Sequence, residues 1–177
     1  MKRILVMMIA AAMVISLMAG CGDNDRQNGT QSDSTESQMT DVATDENLAN
    51  IIRDAGNVGE GTAGSSLRRA KIAHDLAALA AEKGYTEEDI AKLKSTFEAT
   101  FDAMNEDTKS SARSVFTNSV FPMLDKVINE GNLDEYKGLL EDAGVGGDMD
   151  TILKTPGLAD SYNSIKSAYL ALEDSGN

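Results

Sequence analysis

The sequence predicts an all-α protein, a compact bundle of about five or six helices behind a disordered tether. Three observations carry that prediction. From residue 45 onward apolar residues recur every three or four positions, as on one face of a helix. The breaks between these runs hold Gly, Pro, Asn or Asp, the residues that stop or start helices. No stretch alternates apolar and polar residues with the period of a strand.

Leu48, Ile51, Ile52 and Ala55 share the face of a first helix, with Gly56 as its stop. Ile72, Leu76, Leu79 and Ala80 form the stripe of a second helix ending at Gly84. Ala70, Ala73, Ala77 and Ala81 widen that face and permit close approach. Thr86 is placed to cap a third helix, with Asp89 three residues on and Glu87 and Glu88 in the first turn. Tyr85 and Ile90 match a hydrophobic staple there. Ile90, Leu93, Phe97, Phe101 and Met104 then lie on one side. The short link at Gly84–Tyr85 predicts an antiparallel hairpin of the second and third helices.

A fourth helix carries Ala112, Phe116, Val120, Met123 and Val127 inward. Pro122 falls inside that pattern, lacks an amide donor and crowds the carbonyl of Asn118, so a kink or a fresh helix start is expected. Asn132 is placed to cap a fifth helix through Leu133, Tyr136, Leu139, Leu140 and Ala143, stopped by Gly144. Asp148 is expected to cap a short turn reaching Lys154. Pro156-Gly157 opens a final helix striped by Leu158, Tyr162, Ile165, Tyr169 and Leu172. Gly84-Tyr85-Thr86-Glu87-Glu88 and Gly131-Asn132-Leu133-Asp134-Glu135 look alike, but both are helix-stop, helix-start junctions, and their flanking stripes do not align as a repeat.

The N-terminus has a different character. Lys2 and Arg3 precede an uncharged run from Ile4 to Met18, which Ala19-Gly20 follows, the layout of a secretory signal over residues 1–20. Met18-Ala19-Gly20-Cys21 resembles the lipobox of bacterial lipoproteins, with Met18 where that family usually has Leu. The resemblance covers residues 1–21 only. It implies removal of residues 1–20, a diacylglyceryl thioether on Cys21 and attachment to a membrane on the extracytoplasmic side; a durable anchor needs two acyl chains or more. Residues 21–44 then read as the lipidated Cys and an acidic tether, too poor in apolar side chains to order itself. Residues 45–173 are the expected helical domain and 174–177 a C-terminal tail.

Charge narrows the function. The chain has 29 acidic and 16 basic residues, a net −13, and loss of Lys2 and Arg3 with the signal takes this to −15. No basic stripe is available to track phosphates, so a nucleic-acid partner is not expected. One Cys and one His cannot build a zinc site, and Asp23 and Asp25 lack the spacing of a calcium loop, so no metal or cofactor is expected. Gly59-Glu60-Gly61-Thr62-Ala63-Gly64 matches a dinucleotide fingerprint, but a helix stripe precedes it and Glu60 would repel the phosphates. It reads as a loop.

Arg68, Arg69 and Lys71 form the one dense basic cluster and read as a solvated face, with contact to an anionic ligand or lipid headgroups as the alternative. His74 and Asp75 point about 100° apart on a helix, which predicts no acid–base pair and a boundary histidine with one hydrogen bond. Glu87, Glu88, Asp134, Glu135, Asp148 and Asp150 gather at helix starts, where the helix dipole favours them. No catalytic residue is assigned. The expectation is a non-catalytic, lipid-anchored helical module that binds a protein or peptide partner of basic character, in an inhibitor, immunity or envelope accessory role. The alternatives are a small cell-wall hydrolase with paired carboxylates, and a carrier of a ligand or metal.

Overall fold

The computed structural model describes residues 44–59, 61 and 64–173. The signal segment, Cys21, nearly all of the tether, the tail and Glu60, Thr62 and Ala63 lie outside the described residues. Among the described residues there are seven helices and no strand: α1 (Glu46–Gly56), α2 (Ser65–Lys83), α3 (Ile90–Asp102), α4 (residues 106–129), α5 (Lys137–Asp142), α6 (Gly146–Ile152) and α7 (Leu158–Glu173). The all-α bundle expected from the sequence is what forms. α6 occupies the segment read as a short turn, and Asp148 lies in its first turn without capping it.

Asp45 caps α1, its Oδ1 accepting the amides of Asn47 at 3.1 Å and Leu48 at 3.2 Å. Leu48, Ile52 and Ala55 of α1 are fully buried. Gly56 does more than stop the helix: a Cβ there would stand 2.6 Å from Thr108 Cγ2, so the missing side chain lets α1 close on α4. α2 presents a broad face of Ala70, Ala73, Ala77 and Ala80 with Ile72, Leu76 and Leu79. Small residues on several sides of one helix allow several neighbours, and α2 packs against α1, α4, α5, α6 and α7. Gly84 ends it in the left-handed region at φ +60°, its amide reaching the Ala80 carbonyl at 3.0 Å.

The expected hairpin of α2 and α3 does not form. The two helices do not lie side by side; each packs instead against α1 and α7. The physical reason sits at their junction. Ser161 of α7 accepts the Tyr85 amide at 2.8 Å and donates to the Ala80 carbonyl at 2.7 Å, holding the corner open around α7. The start of α3 is as the sequence suggests: Asp89 Oδ2 accepts the Thr86 amide at 2.9 Å and the Thr86 side chain accepts the Asp89 amide, a capping box over a 3₁₀ turn, Glu87–Asp89.

α4 departs most from an ideal helix. It runs as α-helix over Glu106–Val115, widens to a π turn over Phe116–Val120, returns to α over Phe121–Leu124 and widens again over Asp125–Asn129. Pro122 neither breaks it nor starts a new helix. The first π turn, in which the Phe121 amide bonds the Phe116 carbonyl five residues back, lies directly ahead of the ring and absorbs it. The first π turn also rotates the residues that follow it, so that Phe121 and Leu124 join the predicted Phe116, Val120, Met123 and Val127 in the core; Val115, just ahead of the turn, is buried as well.

The core centres on six rings: Phe97 and Phe101 of α3, Phe116 and Phe121 of α4, and Tyr162 and Tyr169 of α7, with neighbouring centroids 5.1–6.4 Å apart. Edge-on and tilted packing at these distances adds to the burial itself. Beyond α4, Asn132 does not cap α5; its amide bonds Glu135 at 3.2 Å while a turn covers residues 134–136. α5 and α6 are anchored by the fully buried Leu140 and Met149.

Candidate functional site

Polar groups gather in three places. Two are interior networks that the sequence did not reveal. In the first, Tyr85 donates to Asp45 Oδ2 at 2.5 Å, and the Asp45 amide bonds Thr96 Oγ1 at 3.0 Å, tying α1, the α2–α3 corner and α3. Burial alone would raise the Asp45 carboxyl, but the Tyr85 hydroxyl and the amides of Leu48 and Asn47 outweigh it and hold the group below the usual range. Burial, with Asp45 beside it, pushes the Tyr85 phenol well above its usual value. In the second network Asp125 accepts Tyr162 Oη at 2.9 Å, Lys166 Nζ at 2.6 Å and Asn129 Nδ2 at 3.2 Å. Both networks use their acids to bind helices to one another.

Tyr162 also bonds the Phe121 carbonyl at 3.2 Å, and Tyr169 bonds the Arg113 carbonyl at 3.3 Å and the Thr117 hydroxyl at 3.0 Å. Two tyrosines of α7 thus meet backbone and side-chain groups in and beside the widened turns of α4, where the regular ladder is interrupted.

The third place is α2 and its flanks, where the structure divides the basic cluster. Lys71 pairs with Asp75 at 2.5 Å, and Arg68 is exposed beside it in a groove between α1 and α2 that also holds Asp54. His74 and Asp75, expected to diverge, do meet: Nδ1 stands 3.1 Å from Asp75 Oδ1. Both lie at one edge of the buried face and need only turn toward each other. Burial would raise the Asp75 carboxyl, but bonds from His74 and Lys71 hold it below the usual range. The His74 side chain is 12% exposed and makes this single hydrogen bond, with Nε2 buried and unpartnered. It is the boundary histidine the stripe predicts.

Arg69 faces a different groove, of about 220 Å³, between α2, α4 and α5. Ser66 and Arg69 come from α2, Asn118 and Ser119 from the first π turn, Pro122 and Met123 from just beyond it, and Tyr136 and Leu139 from the α5 region. Nε of Arg69 is buried without a hydrogen-bond partner, and no carboxylate lines the groove. Among the described residues no group of three or more His, Cys, Asp or Glu is placed to hold a metal ion. Nor is any helix among them long and apolar enough to cross a membrane. No family model, curated protein or solved structure matches the chain.

Proposed function

We propose that the mature chain is a lipid-anchored, extracytoplasmic module that binds a protein or peptide partner of basic character and catalyses no reaction. What supports the reading is a division among the carboxylates. Asp45, Asp75, Asp89 and Asp125 are engaged with partners inside the fold. Asp134, Glu135, Glu141, Asp142, Asp148 and Asp150 are all exposed, and none makes an ion pair among the described residues. Such a surface attracts cationic partners and speeds encounter at low ionic strength. The anchor rests on the lipobox resemblance at Cys21.

Crosslinking the native chain in its own membrane tests the partner. The expected result is a basic protein or peptide whose capture weakens with added salt and with neutralisation of the acids between residues 134 and 150. Release of soluble fragments from cell-wall material by the purified protein would favour a hydrolase and overturn the reading. Intact mass tests the anchor: the expected species lacks residues 1–20 and carries acyl chains on Cys21. A water-soluble product with a free Cys21 thiol would remove the membrane from the proposal.

A further inference from the structure

We propose that the groove between α2, α4 and α5 binds a carboxylate carried on a short apolar group, with Arg69 as its charge partner. Its Tyr136 and Leu139 wall borders the acidic surface of the preceding proposal, but the site is argued from Arg69 and stands or falls without that reading. With 29 acidic residues in the chain, Arg69 does not lack a carboxylate partner for want of acids. Arg68, one residue away, is exposed and solvated, whereas Arg69 is half-buried with Nε cut off from water and unbonded. The Arg69 guanidinium makes no ion pair among the described residues and no carboxylate lines its groove, so its charge has no counter-ion there.

The surroundings of Arg69 fit one chemistry. A planar guanidinium matches a carboxylate in fork geometry, two donors to two oxygens. The hydroxyls of Ser66, Ser119 and Tyr136 line the same groove, and none makes a side-chain hydrogen bond among the described residues. Met123 and Leu139 supply apolar wall on the far side. About 220 Å³ is less than drug-sized ligand sites enclose, so the groove itself takes one small apolar group beside the carboxylate, and any larger body extends into solvent. The first π turn builds part of the wall, placing Ser119 beside Pro122 and Met123, and widened turns of this kind recur where helices carry function. The net negative charge of the protein opposes any anion at long range, so binding is modest and local.

That carboxylate belongs either to a free small acid or to the C-terminal residue of a peptide. The test uses the full chain with isotope-labelled methionine methyl groups, Met123 being assigned by Met123→Leu. Acetyl-leucine is titrated against acetyl-leucinamide, which has the same apolar group and no charge. The expected result is a saturable shift of the Met123 methyl with the acid and not with the amide. Arg69→Gln should weaken binding by roughly tenfold or more, since a charge-assisted pair is lost, and Arg69→Lys should retain part of it. Arg68→Gln should leave it unchanged. An acetylated tetrapeptide ending in leucine separates the sources: tighter binding than acetyl-leucine assigns the site to chain termini, weaker binding to free acids. Equal response to acid and amide, equal loss in both glutamine variants, or no shift at Met123 up to roughly 10 mM ligand, the range of very weak association, would overturn the proposal.

Discussion

Tyr85 shows how much one hydroxyl can organise. It donates to Asp45, which caps α1 and whose amide meets α3, so a single side chain fixes where three elements come together. Tyr85→Phe should therefore cost about 1.5 kcal/mol at neutral pH, the value of a hydrogen bond to a charged acceptor. The pH dependence follows from the direction of the Asp45 shift. Its folded pKa lies below the unfolded value of roughly 3.9, so the associated stability is full above that value and is lost as pH falls through the folded pKa. Denaturant melts of Tyr85→Phe and the parent should differ at pH 7 and converge in strong acid. His74 is the contrasting case. Its removal forfeits packing and one bond to Asp75 but also removes a buried, unpartnered nitrogen. His74→Ala should shift stability by less than ~1 kcal/mol, measurable in the same melts.

At the scale of elements, local signals were legible and long-range ones were not. Thr86 and Asp89 sit three residues apart and find each other whatever the rest of the chain does. The stripe of Leu93, Phe97 and Phe101 likewise reads directly as buried surface. Thr86→Ala should accordingly cost ~1 kcal/mol and Phe97→Ala ~3–5 kcal/mol, the second including the cavity left among the rings. Thermal and denaturant unfolding of the two variants check the ranking as well as the sizes. What sequence patterning could not supply is which helix lies beside which. A short link argues for a hairpin, but Ser161, 76 residues from Tyr85, decides otherwise. The π turns were hidden for a related reason. Pro122 announces trouble in a helix, while the remedy depends on Tyr162 and Tyr169 arriving from α7 to meet the disturbed backbone. Gly56 was legible as a glycine and misread as a stop alone, because its neighbour Thr108 is 52 positions away. The Arg69 groove escaped for the same cause: Arg68, Arg69 and Lys71 looked like one surface until the neighbours of each from other helices were in place.

The described residues share one core. The ring cluster draws on α3, α4 and α7, while α2 touches five other helices, so no part of the described fold holds a separate interior. A single cooperative transition is expected, with near-UV and far-UV signals changing together on heating; two separated transitions would show that α5 and α6 melt independently. Because every core residue among those described lies at or after Leu48, a chain starting at residue 44 should melt within a few degrees of the longer one, a difference of under ~1 kcal/mol.

The position of α7 in the chain has a consequence for biogenesis. Residues 158–173 are synthesised after everything that packs against them, and they supply Tyr162, Ile165 and Tyr169 to the centre and Ser161 to the α2–α3 corner. Until they arrive, the partly made chain has faces without partners and interrupted helix turns without their tyrosines. Closure of the core thereby waits on residues 158–173, whatever the earlier helices have already formed.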